Sequence, residues 1–369
     1  MLDNPSLLLA RSFNASEINA LTDHQHILMV NQSSDGYCLQ LANDFADKQF
    51  TAFSYNVAAH QSLKDAPANL KSLCAAQLTA DDIGPQKFDC VVIYFPKSKP
   101  EFELLLQNLF NHVAIDAPIY LVGDNKGGVK TCDKLMQTFC RKANKVDAAK
   151  HCALYQTMLT QASAPFVLAD WYKNYPVNIN DVELNVYTLP GVFSFGAIDM
   201  GTRLLLESVK AKTSDKSQKV LDFGCGAGLI GAFLAKLNKN VTVTGIDVSA
   251  LAIESTLKTY QQNNIDGTAI LSDGLSGLSG LAGLGGLGGN FDQVYSNPPF
   301  HSGVKTNYAI TELFLNTIKG YIYPGGSLTI VANSFLNYQP LLTAQFGCYN
   351  TLVSNRRFHV YQASNSTKG

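Results

Sequence analysis

Between Lys219 and Leu237 the chain runs from a short β-prone stretch, Lys219-Val220-Leu221-Asp222-Phe223, through Gly224-Cys225-Gly226-Ala227-Gly228, into helical spacing from Leu229 onward. No other feature constrains the fold as much. Glycine takes left-handed dihedrals without steric cost, and without a Cβ it lets a ligand lie on bare main chain. A helix opening directly after such a turn aims its unpaired N–H groups at that ligand. A strand, a glycine turn and a helix in this order predict an α/β domain, a parallel sheet with helices on both faces.

The rest of the second half keeps the alternation. Val241 to Asp247 predicts a second strand, and Ser249 caps a helix from Ala250 through Leu257. Further strands are expected at Thr268–Leu271 and Phe291–Ser296, and a helix from Thr311 to Ile318. Pro324-Gly325-Gly326 reads as a turn before a strand from Ser327 to Ala332. Tyr349–Val353 and Phe358–Tyr361 read as two closing strands, antiparallel to each other. The repetitive stretch 274–289, GLSGLSGLAGLGGLGG, is too rich in glycine for a stable helix and is expected to be a loop without chemistry of its own.

The first half carries an echo of the second. Phe88-Asp89, a β-prone run and Pro96 parallel Phe291-Asp292, a β-prone run and Pro298. A duplicated unit is expected, with one difference. The run after the first strand, His26 to Ser33, contains no glycine, so a nucleotide-like ligand cannot approach its backbone. The N-terminal half is therefore read as catalytically silent.

A chain of 369 residues suits two domains, and no apolar run reaches the roughly 20 residues a bilayer span needs. With no basic, cleavable leader, a cytoplasmic protein is expected. Its eight cysteines are scattered singly, which predicts free thiols and no structural metal. A formal net charge of −1 argues against indiscriminate nucleic-acid binding but leaves room for a local basic face. One candidate lies in residues 126–150, where Lys126, Lys130, Lys134, Arg141, Lys142, Lys145 and Lys150 face only Asp133 and Asp147. It reads either as a solvated helical face or as an RNA-backbone contact.

The residues that carry chemistry are strand-end residues. Asp222, Gly224, Cys225, Gly226 and Gly228 form the candidate ligand loop. Asp247, ending the next strand, can accept ribose hydroxyls, and Asp273, ending the third, can accept an adenine amino group. Gly226, Gly228 and Gly231 also satisfy the dinucleotide pattern, so the loop alone leaves a nicotinamide cofactor open. Asp222 in the strand end and a second motif favour S-adenosylmethionine. That motif is Ser296-Asn297-Pro298-Pro299-Phe300. The Asn297 carbonyl accepts a hydrogen bond from an exocyclic NH2, and Pro298 and Pro299 orient backbone carbonyls as further acceptors. Phe300 can stack on a flat base. A stretch from Pro190 to Arg203, with Phe193 and Asp199 as the residues assigned to it, fits a segment folded over the cofactor, or ordinary packing ahead of the helix around Leu204 to Leu206. His301 is a loop residue or a base-edge contact, Lys305 a candidate phosphate contact, and no histidine is needed as a base.

Taken together, PGVFSFGAIDMGTRLLL, VLDFGCGAGLIG, SNPPFHSG and IVANSFLNY resemble the ribosomal RNA small subunit methyltransferase C family, and FPKSKPEF, GDNKGGVK and NKVDAAKHCALY resemble that family's first domain. The resemblance implies two Rossmann-like methyltransferase domains in tandem, the N-terminal one degenerate. On that plan residues 1–165 form the degenerate domain, 166–184 a linker and 185–369 the catalytic domain. It further implies methyl transfer from S-adenosylmethionine to N2 of a guanine in 16S rRNA, on or on the way to the small ribosomal subunit. A monomer is expected. The cofactor positions the resemblance implies are Asp222, Gly224, Gly226, Gly228, Asp247 and Asp273, with Asn297 to Phe300 on the target base. The Gly/Leu insertion departs from the family pattern beside Asp273. Large-subunit guanine, DNA adenine and protein glutamine amide remain alternative targets, because each presents a planar NH2. A non-catalytic RNA-binding or assembly protein on the same fold is the alternative of another class.

Overall fold

The computed structural model describes residues 2–14, 21–210, 216–279, 290–298 and 305–366, and the chain divides into two compact units, Met1–Trp171 and Tyr172–Gly369. The first unit holds seven strands: β1 His26–Val30, β2 Gln49–Ser54, β3 Leu70–Cys74, β4 Cys90–Tyr94, β5 Pro118–Asp124, β6 Asn144–Ala149 and β7 Cys152–Met158. They form one sheet in the order β3-β2-β1-β4-β5-β7-β6. The second unit opens with a hairpin, β8 Lys173–Ile179 and β9 Val182–Thr188. Its main sheet contains β10 Gln218–Phe223, β11 Val241–Asp247, β12 Gly267–Leu271, β13 Phe291–Ser296, β14 Ile322–Asn333, β15 Asn350–Ser354 and β16 Phe358–Ser364. The order β12-β11-β10-β13-β14-β16-β15 repeats that of the first sheet strand for strand.

In both sheets the last two strands run antiparallel to their neighbours and the other pairs are parallel. The duplication reaches single hydrogen bonds. Asn31 N donates to Phe53 O at 2.9 Å after β1, as Gly224 N donates to Ile246 O at 2.9 Å after β10. The two Phe-Asp pairs repeat as well: Asp89 accepts from Gln25 N and His26 N, and Asp292 accepts from Lys219 N. A short carboxylate at the start of each strand, just before β4 and one position inside β13, thus anchors the start of its neighbour.

The strands expected in the second half form where their β-branched and aromatic runs lie. Ser249 caps the helix Ala250–Gln262 by accepting from Ala252 N, and that helix runs five residues beyond the expected Leu257. One sheet face packs on the helix Lys305–Thr317, with Leu221, Val294, Leu328 and Ile330 fully buried and the Phe223 and Phe314 rings stacked at 3.9 Å. Parallel order reverses between β10 and β13, which opens a crevice at the carboxyl ends of those two strands.

Four expectations need correction. Residues 166–184 are not a free linker, because Lys173–Ile179 and Val182–Thr188 form the β8–β9 hairpin of the second unit and the units divide at Trp171. Pro176 and the asparagines mask its alternation, yet Val177, Ile179, Leu184 and Val186 are buried in strict period two. Asn180 and Asp181, both at positive φ, make the tight turn. Second, the Gly/Leu stretch is not wholly loop: Ser276–Ser279 is a helical turn that buries Leu278, while residues 280–289 lie outside the described residues. Third, the basic stretch is no single helical face. It spans a short helix Cys132–Met136 and strand β6, with Arg141 paired to Asp116 and Asp147 to Arg11. Fourth, the Pro324-Gly326 turn is a bulge inside β14, where Phe291 and Gln293 pair with Ile322 and Ser327.

Candidate active site

The loop after β10 is held by its own backbone. Gly224, Gly226 and Gly228 have φ of +70°, +56° and +72°. Gly224 N and Cys225 N both donate to Ile246 O, and Gly226 N donates to Asp247 Oδ2 at 2.9 Å. Ser249 N donates to Asp247 Oδ1 at 2.9 Å, so the carboxylate at the end of β11 is clamped against the loop. Burial pushes Asp247 above the usual carboxylate range, against the opposing pull of those backbone donors.

The three loop glycines do different jobs. A Cβ added at Gly224 or Gly226 would meet no atom within 4 Å, so these two line open space. A Cβ at Gly228 would sit 2.8 Å from Thr256 Cγ2 and 3.0 Å from the Tyr260 ring. At Gly228, expected on the cofactor, the missing Cβ also lets the following helix pack on Thr256 and Tyr260. Cys225 takes part through its main chain. Its side chain is buried and its Sγ receives a hydrogen bond from Thr256 Oγ1 at 3.2 Å, so only its main chain belongs to the loop. Thr256 Oγ1 also lies 3.0 Å from Gly226 O, and no sequence pattern announces it.

Asp222 is fully buried beneath the loop. Its Oδ2 accepts from Gly231 N at 3.0 Å, and its Oδ1 has no partner among the described residues. Burial, reinforced by the Asp247 charge, pushes its carboxyl up to about 7 from 3.8. The folded state therefore holds this proton more tightly than the unfolded chain. The sign follows: stability from this group is greatest below about pH 4 and is lost as pH rises towards 7. Asp222→Asn cannot ionise, so its melting temperature should gain on that of the unsubstituted protein as pH climbs through this window. Parallel melting curves from pH 4.5 to 8, recorded without ligand, would refute the shift.

Asn297 leaves β13 directly opposite the loop. Ser296 Oγ donates to Phe223 O at 2.9 Å and so ties the two strand ends together. Asn297 Nδ2 donates to Thr202 Oγ1 at 2.8 Å and to Asp199 Oδ2 at 3.1 Å. An ionised carboxylate can only accept, which fixes the nitrogen end of the amide. With both amide hydrogens engaged, the atom Asn297 can offer a substrate is its carbonyl oxygen. Asp199 was expected on the cofactor; its place is here, where it also caps the helix Met200–Ser208 by accepting from Thr202 N at 2.9 Å.

The pair Asp199 and Thr202 should therefore position Asn297. Asp199→Asn preserves the helix cap but can donate as well as accept, so the amide loses its unique orientation. We expect kcat to fall about a hundredfold for Asp199→Asn and about tenfold for Thr202→Val. Donor affinity by calorimetry should stay within error. Unchanged turnover in both variants removes the positioning role.

The remaining assignments scatter. Asp273 follows β12 with its side chain exposed, at the same sheet edge as Asp247, to whose carbonyl Ser272 N donates at 2.9 Å. Phe193 is 57 % exposed in the segment between β9 and the helix Met200–Ser208, where it is Phe195 that takes the Lys173 ammonium over its ring. Pro298 is buried. Pro299, Phe300 and His301 lie outside the described residues, as does the Lys305 side chain. Sequence reasoning missed Thr202, Thr256 and Tyr260, whose roles come from contacts between separate elements. Among the described residues no helix is long and apolar enough to cross a membrane, and no three His, Cys, Asp or Glu side chains gather into a metal-holding group.

A duplicated seven-stranded sheet with a glycine loop facing a strand-end Asn-Pro motif defines a methyltransferase, and two family models agree. The methyltransferase small domain matches residues 183–362, and its N-terminal companion matches residues 17–175. The chain belongs to the ribosomal RNA small subunit methyltransferase C family. It is 40% identical to the member from Pseudoalteromonas translucida, over 98% of this chain and 99% of that one. It is 34% identical to the member from Psychromonas ingrahamii, over 99% and 97%. In fold it is similar to the 16S rRNA N2 methyltransferase of T. thermophilus, solved in complex with AdoMet and guanosine, with TM-score 0.78 at 22% identity over 96% and 93% of the chains. This membership removes the nicotinamide reading of the glycine loop.

S-adenosylmethionine is the cofactor, and the residues present fit it. Gly224 and Gly226 leave bare backbone facing open space. Asp247 keeps spare acceptor capacity for ribose hydroxyls beyond its backbone donors, since two carboxylate oxygens offer about four lone-pair sites. The partnerless Asp222 Oδ1 beneath the loop is an acceptor suited to the cationic amino-acid end of such a ligand.

Proposed function

We propose that this protein transfers a methyl group from S-adenosylmethionine to the exocyclic N2 of a guanine in 16S rRNA. The observation that carries the reading is the fixed Asn297 amide, whose carbonyl is left for an incoming NH2 by the Asp199 and Thr202 contacts. The target base enters unpaired or flipped out of its stack, because N2 cannot reach a strand-end pocket from within a helix.

The cofactor supplies an electrophilic methyl group on a sulfonium. The chain's own residues supply alignment. Asp222, Gly224, Gly226 and Asp247 hold the donor, and Asn297 accepts from one N2 hydrogen. That hydrogen bond fixes the amine's plane and draws electron density onto the nitrogen, whose lone pair is otherwise delocalised into the ring. Proximity and orientation of this kind can contribute about 7–11 kcal/mol to a displacement barrier. Once methylated, the nitrogen is acidic enough to lose its proton to water, so no histidine is required.

The first unit is assigned a non-catalytic role in positioning structured RNA. In place of the glycine turn it has Asn31 and Gln32, and Gln32 and Tyr37 are buried side chains. RNA is then gripped by shape and phosphate contacts.

The test is a labelled-methyl assay on small subunits, large subunits, DNA and protein, followed by nucleoside analysis. N2-methylguanosine in 16S rRNA is expected. Label in 23S rRNA, on adenine or on a glutamine amide overturns the reading, and donor binding without any transfer favours the assembly-protein alternative.

A further inference from the structure

The carboxyl edge of the second sheet carries a second surface beside Asn297. Asn333, the last residue of β14, pairs with Phe358, the first of β16. Beyond that pair the two strands diverge into exposed turns. Ser334 N donates to Arg357 O at 2.8 Å and Ser334 Oγ to Arg356 O at 3.1 Å, which locks the turns together. Asn355 Oδ1 accepts from both Arg357 N and Phe358 N at 2.8 Å, so the arginine turn is rigid before any partner arrives.

This turn touches the active site through one side chain. Arg357 Nη1 lies 3.8 Å from Met200 Sδ, and Met200 directly follows Asp199, the residue that holds Asn297. Gly201 brings the helix so close that an added Cβ would lie 3.1 Å from the Phe358 ring. The outcome is two exposed guanidiniums flanked by two large apolar side chains, Met200 at 57 % and Phe335 at 65 % exposure. Neither arginine forms an ion pair among the described residues.

Exposed apolar side chains interleaved with unpaired arginines, one residue from the aspartate that holds Asn297, match a strand whose backbone is anionic and whose bases are flat. A protein partner would ask for a wider apolar patch, and a lone anion would leave Phe335 and Met200 without purpose. We propose that Arg356 and Arg357 bind the phosphates, and Phe335 stacks on a base, of the single-stranded RNA nucleotides flanking the methylated guanine. This rests on the rRNA reading above.

The test uses the full chain, protein-free unmodified 16S rRNA transcript and reconstituted small subunits. For Arg356→Ala/Arg357→Ala, kcat/KM on the transcript should fall at least about tenfold. The plot of log kcat/KM against log salt should be shallower by about 1.4, since each single-strand phosphate contact contributes about 0.7. Phe335→Ala should lose on the order of tenfold with the salt slope unchanged. Donor affinity should match the unsubstituted protein in both variants. An unchanged salt slope in the double variant overturns the proposal. So does lost donor binding, which would make the turn structural. A defect seen only on reconstituted subunits points to a ribosomal protein and overturns it too. If the unsubstituted chain methylates neither substrate, the rRNA reading itself fails, and that result stands apart from all the others.

Discussion

Asn297→Ala is expected to lower the rate of methyl transfer about a thousandfold while leaving S-adenosylmethionine affinity within about threefold. The asymmetry follows from where the residue sits. On the reading proposed above, the donor is held by loop backbone and by Asp222 and Asp247, whose hydrogen bonds run to Gly226, Gly231 and Ser249 and not to the Asn297 side chain. Truncation removes the acceptor that orients the amine and leaves Asp199 and Thr202 without their shared partner. Single-turnover kinetics and calorimetry on the same preparation separate the two effects. Transfer at an undiminished rate, or donor binding lost together with activity, would mean the roles are misassigned.

Alanine at two glycines only two residues apart should give opposite phenotypes. Gly226→Ala places a methyl group where no atom lies within 4 Å. Its left-handed φ costs the fold roughly 1–2 kcal/mol, a loss the domain tolerates. The same methyl group stands on the backbone proposed to face the donor, so donor affinity should drop about a hundredfold. Gly228→Ala carries the same φ cost and in addition drives Cβ to 2.8 Å from Thr256 Cγ2 and 3.1 Å from Thr256 Cα. Main chain cannot swing aside as a side-chain tip can, and overpacking adds roughly 1–3 kcal/mol. Thermal unfolding should show Gly228→Ala melting about 10 °C lower, and Gly226→Ala only a few degrees lower. A Gly228→Ala protein as stable as the unsubstituted one would show that the helix contact is slack.

What was legible in the sequence was local. β10, β11, β13 and the helix Leu229–Leu237 lie at or within a residue of where alternation and glycine punctuation placed them. The two Phe-Asp pairs announced a duplication that the matching strand orders bear out. The hairpin β8–β9 escaped notice because Pro176 and its asparagines read as loop chemistry. A two-stranded ribbon tolerates a proline that a central strand could not accept, since an edge has spare N–H positions. In the Gly/Leu stretch, backbone entropy argued correctly against a long helix but said nothing of Leu278, whose burial holds one turn in place.

By itself the sequence determined which backbone conformations were available. Three glycines could adopt positive φ, short strands alternated with amphipathic helices, and Asn297 had to follow a buried strand. Those are properties of neighbouring residues, so they leave periodic marks along the chain. Only the tertiary structure decided how the duties were shared. It set Asp199 against Asn297 across 98 residues of chain, turned Cys225 towards Thr256, and gave Gly228 to packing while leaving Gly226 facing open space. Hydrogen bonds and van der Waals contacts between separate elements depend on distances that no spacing rule encodes, and which glycine meets a ligand is settled by what stands above it.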